Sequence, residues 1–212
     1  MRFLDPVRIM EAAEKVRELS SPCRLCPREC MVDRISGQIG YCGAGNIPSH
    51  SGILPHFGEE PPLVGRGGAG TIFFTHCNLR CVFCQNYQIS RGECGEFITV
   101  EELANEMLKL QLIGASNIEP VSPTHQTHVF LEALGLAAQR GLDLPVVYNS
   151  GGYDSVEVLK LLRGIVHVYM PDLKYADSNM AKKYSDCEDY VEVARDAVKE
   201  MYDQVGDLEV DE

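Results

Sequence analysis

Apolar positions along the chain follow a helical period first and then an alternation of strand and helix periods. Ile9, Ala13, Val16 and Leu19 form one helical stripe, with Asp5 placed to cap it and Pro6 suited to the first turn. Ser20-Ser21-Pro22 ends that helix. From Cys23 to Gly70 periodic runs are few and Gly and Pro are frequent. A loop that long needs something to fix it, and a bound metal would do so. From Thr71 the pattern changes. Thr71–Thr75 (TIFFT), Asn117–Val121, Leu144–Tyr148 (LPVVY) and Ile165–Met170 (IVHVYM) read as strands. Thr99 and Glu102 make a capping box ahead of Leu103, Met107 and Leu110, and Thr124 to Gln139 reads as a helix ending before Gly141. Asp154 is placed as the cap of a helix that stops at Gly164, and a last helix runs through Val191 to Met201. Strand–helix alternation of this kind predicts an α/β fold with a parallel sheet and right-handed crossovers. Four strands do not close a barrel, and Leu208-Glu209-Val210 reads as the start of a further strand, so the expectation is a barrel lacking its C-terminal units.

Charge narrows the partners. Lys and Arg total 19 against 31 Asp and Glu, a net charge of −12 over 212 residues. An acidic chain is a poor partner for phosphate backbones or anionic membranes, which argues against nucleic-acid and membrane binding. No apolar run is long enough to span a bilayer, and the charged, amphipathic start is not a signal peptide, so the expected compartment is the cytoplasm. The nine cysteines would there be metal ligands or catalytic thiols rather than disulfides.

Three of them fall at the end of the first predicted strand, in Cys77-Asn-Leu-Arg-Cys81-Val-Phe-Cys84. Loops at the carboxyl ends of parallel strands are where such folds place chemistry. Three thiolates at C-x3-C-x2-C spacing can each bind one iron of a cubic cluster, leaving the fourth iron open to a small molecule. A structural zinc site with His76 or Cys94 as fourth ligand is the alternative.

The run CNLRCVFCQN after a short strand resembles the radical S-adenosylmethionine (SAM) superfamily. The resemblance implies a [4Fe-4S] cluster on Cys77, Cys81 and Cys84, SAM bound to its open iron, reductive cleavage to a 5′-deoxyadenosyl radical, and a partial (β/α) barrel of radical SAM type. It also implies that Phe83 packs near the adenine, with Asn86 in the same SAM-facing loop. Asn149-Ser-Gly-Gly after the third strand, and Pro171-Asp172-Leu-Lys174 after the fourth, look like SAM-binding turns of glycyl-radical activating enzymes, with Asp172 and Lys174 holding ribose and carboxylate. The match covers residues 65 to about 177 and is closest to proteins related to pyruvate formate-lyase activating enzyme. It implies flavodoxin or ferredoxin as electron donor and a glycyl-radical protein as one substrate; another peptide or a small molecule is an alternative, as is a non-catalytic zinc-binding interaction module. The family's Gly-Gly-Glu turn is absent. Ser122-Pro-Thr-His-Gln126 takes its place, and Ser122, Thr124 and His125 are expected to receive SAM amino or carboxylate groups.

Cys23, Cys26, Cys30 and Cys42 form a second group within an N-terminal segment, residues 1–64, that precedes the predicted partial barrel of residues 65–212. Four ligands close a coordination sphere, which allows a second [4Fe-4S] cluster, structural zinc, or no metal. Gly65-Arg-Gly-Gly-Ala-Gly70 satisfies G-x-G-x-x-G but precedes a strand instead of following one, so it reads as a flexible lead-in and not as a dinucleotide site. Cys94 and Cys187 have no partner by spacing and read as ordinary thiols.

Overall fold

A computed structural model describes residues 3–209. The helices are α1 (Pro6–Glu18), α2 (Pro61–Val64), α3 (Tyr87–Ser90), α4 (Val100–Leu112), α5 (Thr127–Gln139), α6 (Val156–Leu161), α7 (Ser178–Ser185) and α8 (Tyr190–Val205). The strands are β1 (Ser49–His56), β2 (Ala69–Phe74), β3 (Glu96–Phe97), β4 (Glu119–Val121), β5 (Val147–Ser150) and β6 (Val168–Pro171). They form one six-stranded sheet in the order β3-β1-β2-β4-β5-β6. β2, β4, β5 and β6 are parallel; β1 pairs antiparallel with β2, and β3 pairs antiparallel with β1 at the edge.

Among the described residues the sheet is open and does not close into a barrel, so the fold is a mixed α/β sheet. Val210, in the run expected to start another strand, lies outside the described residues. No helix among the described residues is long and apolar enough to cross a membrane.

The capping signals act where the sequence places them. Asp5 accepts from the amides of Val7 and Arg8, and Thr99 with Glu102 closes a reciprocal capping box. α5 is apolar around most of its circumference because it is buried against α1, α4 and the sheet: Phe130, Leu131, Ala133, Leu134 and Ala137 have no exposed surface. Its Gly135 permits the close crossing with α1, since a Cβ there would lie 2.4 Å from Met10 Sδ.

Two expectations are corrected. β1 lies inside the stretch read as loop. Gly52 and Pro55 hide it, and both are tolerated because residues 52–56 pair only with β2 and otherwise form an edge. The 65–70 glycines are not a flexible lead-in but a tight turn. A Cβ on Gly67 would lie 1.7 Å from the Gly114 carbonyl oxygen, and one on Gly70 2.2 Å from that of Asn117. Their small size lets the entry to β2 pass directly under the α4–β4 connection.

Candidate active site

The carboxyl ends of β2, β4, β5 and β6 open into a cavity of about 590 Å³. That lies within the roughly 300–1,000 Å³ range of small-molecule sites. Each parallel strand delivers part of its wall.

β2 leads into the loop carrying Cys77, Cys81 and Cys84, all three of which line the cavity. The loop turns through positive φ at His76 (70°) and Arg80 (54°), conformations that non-glycine residues adopt only where surroundings hold them. Two anchors do so. The Val82 amide donates to the Tyr184 carbonyl (2.9 Å), and Arg91 Nη2 donates to the Arg80 carbonyl (3.1 Å). Donors are aimed at the sulfurs. The Leu79 amide lies 3.4 Å from Cys77 Sγ, and the Arg80 amide also bonds this sulfur. Ser185 Oγ, from the end of α7, donates to Cys81 Sγ at 2.9 Å, and Tyr175 Oη lies 2.5 Å from Ser185 Oγ. Burial pushes the Cys77 thiol up, while the two amides pull the other way by favouring the thiolate. Among the described residues, no three thiol, imidazole or carboxylate groups form a site for a single ion. A cluster that gives each thiolate its own iron makes no such demand.

Phe83 and Asn86 also line the cavity. Phe83 is half exposed and makes edge contacts with Tyr175 (5.9 Å) and Tyr184 (6.5 Å). β4 ends at Val121, and Ser122, which follows it with a positive φ of 52°, lines the cavity wall. β5 brings Asn149, Ser150 and Gly151, and β6 brings Asp172 and Lys174, whose Nζ and Oδ2 are 2.5 Å apart. Gly151 is packed on the cysteine loop, since a Cβ would lie 2.7 Å from Leu79 Cδ1. Tyr190 fixes the last two turns to each other: its hydroxyl lies 2.8 Å from the Gly151 carbonyl oxygen and accepts from the Lys174 amide at 2.9 Å.

Thr124 and His125 do not line the cavity with these residues. Thr124 is buried and donates to Asp154 Oδ1 (2.6 Å). His125 Nε2 donates to the Thr75 carbonyl (2.9 Å), and complete burial holds the imidazole neutral, its pKa lowered to about 3. Thr124 thus ties this turn to the one after β5, and His125 ties it to the end of β2. Asp154 is not a helix cap either. Ser155 occupies the cap position of α6, while the Asp154 carboxylate accepts from Thr124 and from Ser150 Oγ (2.6 Å). His76 faces the cavity, with Nδ1 2.9 Å from Thr75 Oγ1, and Cys94 is exposed. Cys187 is buried, 3.5 Å from Asp189 Oδ1.

Glu119 escapes a reading by sequence, although a lone acid in the strand Ile-Glu-Pro-Val is itself unusual. It has no exposed surface, and Oε1 accepts from Asn149 Nδ2 at 2.9 Å. Burial, with Glu59 beside it, raises its pKa from 4.5 to about 7. The folded state therefore favours the protonated form. Its stabilising contribution is complete below the ordinary carboxylate range and is lost as pH rises through about 7. Glu119→Gln keeps the acceptor and removes the titration. It is expected to match the native melting temperature near pH 4.5 and to exceed it increasingly towards pH 8, by thermal melts across pH. A constant difference at all pH values would refute the assignment.

A family model described as the Radical SAM superfamily matches residues 71–208, from β2 past the end of α8. The uncharacterized protein MJ0674 of Methanocaldococcus jannaschii is 28% identical over 202 residues, which is 92% of this chain and 58% of that protein. The uncharacterized protein MJ0808 of the same organism is 26% identical over 172 residues, 70% of this chain and 48% of that protein. The chain thus spans about half the length of the curated relatives it matches. No solved structure matches.

Proposed function

The chain belongs to the radical SAM superfamily, and from that membership we propose that it is a SAM-cleaving enzyme of the type that activates glycyl-radical proteins. The family implies a [4Fe-4S] cluster and SAM, hence SAM-dependent radical chemistry. Cys77, Cys81 and Cys84 fit the cluster because donors already point at two of the three sulfurs, as thiolate ligands require. When bound, the reduced cluster supplies one electron to SAM, giving methionine and a 5′-deoxyadenosyl radical that takes a hydrogen atom from substrate.

The remaining work belongs to the chain. Lys174 offers a cation for a carboxylate and Asp172 an acceptor for hydroxyls, both at the cavity wall. Phe83 offers an aromatic face beside the cysteine loop, and Asn149, Asn86 and Ser122 supply polar contacts. The observation that carries the reading is the convergence of the cysteine loop with the Asp172–Lys174 turn on one cavity. The activating-type assignment rests on that turn and on Asn149-Ser-Gly-Gly. It brings flavodoxin or ferredoxin as donor, a glycyl-radical protein as substrate and a cytoplasmic setting. In the same reading the four N-terminal cysteines hold a second centre.

Anaerobic reconstitution with iron, sulfide, SAM and a low-potential reductant tests the reading. Equimolar methionine and 5′-deoxyadenosine are expected, with an organic radical on a glycyl-radical partner. Protein that binds only zinc and releases no 5′-deoxyadenosine would overturn it in favour of an interaction module. Lys174→Met is expected to raise the KM for SAM about ten- to hundredfold, the worth of a charged hydrogen bond, with a smaller change in kcat. An unchanged KM would remove Lys174 from the site.

A further inference from the structure

Cys81 differs from Cys77 in what its sulfur receives. The Cys77 sulfur takes a backbone amide, that of Leu79. The Cys81 sulfur takes a side-chain hydroxyl, Ser185 Oγ at 2.9 Å. Both residues are buried, Cys81 6% and Ser185 3% exposed. They are far apart in sequence and meet because α7 ends against the cysteine loop. The Val82 amide donates to the Tyr184 carbonyl. Arg28 bridges the same two segments, donating to the carbonyls of Asn78 (3.0 Å) and Ser185 (2.8 Å). With the backbone fixed on both sides, the hydroxyl has a set place beside the sulfur.

Ser185 carries one hydroxyl proton. Donating it to sulfur leaves the oxygen as an acceptor, and Tyr175 Oη lies 2.5 Å from that oxygen. The phenol must then be the donor, which gives a relay from Tyr175 through Ser185 to Cys81. The Tyr175 ring is held edge-on by Tyr190 (5.1 Å) and Phe83 (5.9 Å). The surroundings are apolar: Leu79, Ala181 and Tyr190 are buried in one cluster with Cys81, and Tyr175 packs against it. Hydrogen bonds in such surroundings are stronger than in water, and consecutive ones polarise each other. A helical serine can satisfy itself on the carbonyl one turn back. The hydrogen bonds of Ser185 Oγ go instead to the phenol and the sulfur.

We propose that Tyr175 and Ser185 are a positioning pair that sets the reduction potential of the cluster through the Cys81 sulfur. This rests on the reading of Cys81 as a cluster ligand given above. An electron added to an iron–sulfur cluster increases the negative charge on its sulfurs. A donor aimed at a ligand sulfur therefore stabilises the reduced form more than the oxidised one, and raises the potential. The electron comes from the low-potential reductant. Both hydroxyl protons stay on their oxygens, and no covalent bond is made or broken. Tyr175 follows Lys174 directly and touches Phe83, so the relay starts in the segment assigned to SAM and ends on the ligand.

The test is an anaerobic redox titration of the full reconstituted chain, followed by electron paramagnetic resonance on the cluster signal that Cys81→Ala protein lacks. Ser185→Ala is expected to lower the potential. At a fixed reductant potential the reduced-to-oxidised ratio should fall about tenfold, which is roughly 59 mV for one electron. Tyr175→Phe should lower it less, and Ser185→Thr, which keeps the hydroxyl, should stay near native. The double variant Ser185→Ala with Tyr175→Phe should lie no lower than Ser185→Ala alone, because the phenol reaches the sulfur through the serine. A loosened loop would instead admit water to the sulfurs and move the potential up, so the sign separates tuning from structural damage. If Ser185→Ala does not fold, Tyr175→Phe carries the test, since it keeps the ring of a half-buried residue. Additive shifts, or unchanged or raised potentials in the variants, would overturn the relay. Native protein without an iron–sulfur signal would overturn the cluster reading itself. Potential shifts as expected, in a protein that does not cleave SAM, would fault the activating-enzyme reading and leave the relay standing.

Discussion

Cys81→Ala is expected to reduce SAM cleavage to background, a loss of at least about a hundredfold, while metal at the four N-terminal cysteines is retained. Cys81 is the middle member of the triplet and a buried one. Removing it leaves Cys77 and Cys84, and two thiolates cannot hold the three irons that leave a fourth one open. The supporting chain from Tyr175 through Ser185 then ends on a methyl group, so the loop loses a ligand and an anchor together. Cys94→Ala, an exposed thiol outside the cavity, is the control and is expected to cleave SAM at the native rate. The measurement is anaerobic 5′-deoxyadenosine formation beside iron, sulfide and zinc content. Cleavage by Cys81→Ala above a few per cent of native would remove this cysteine from the cluster. Loss of both metals at once would show instead that the two centres fold as one unit.

The residues that could be read from the sequence are those whose signal is local. TIFFT is a strand by composition, Thr99 and Glu102 cap by spacing, and the cysteine triplet announces a cluster by its own offsets. Asp172 and Lys174 could be placed because they follow a strand of the right order. What the sequence does not display are partners far apart along the chain. β1 reads as loop because its Pro and Gly are judged without knowing that it is mostly an edge strand. Asp154 sits where a helix cap is expected, yet its hydrogen bonds go to Thr124 and Ser150. Thr124 and His125 stand in a motif-like turn, yet of the three Ser122 alone lines the cavity, while Thr124 is buried against Asp154 and His125 against the Thr75 carbonyl. Arg34 looks like a surface residue between Asp33 and Ile35 until the fold closes over it. Buried polar contacts of this kind are set by tertiary packing, to which neither periodicity nor spacing gives access.

Asp154→Ala is expected to destabilise the fold by about 3 kcal/mol and to lower the melting temperature by roughly 6–12 °C, as a chain of this size allows. The carboxylate is fully buried and joins two turns of the cavity: Thr124 after β4 and Ser150 at the end of β5 both donate to it at 2.6 Å. Alanine leaves both hydroxyls without their acceptor and opens space between the turns. Ser122 and Asn149 sit on those turns, so a higher KM for SAM should accompany the lower stability. The pH dependence identifies the cause. Burial raises the carboxyl above its ordinary 3.8, more than the two hydroxyls lower it. The protonated form is therefore favoured on folding, and its contribution is complete below the ordinary pKa and declines as pH rises through the raised value. The deficit of Asp154→Ala should be largest in acid and narrower near neutral pH, while Asp154→Asn, which keeps shape and an acceptor, should lose much less. If Asn and Ala variants melt together, the bridge between the two turns is not what Asp154 supplies.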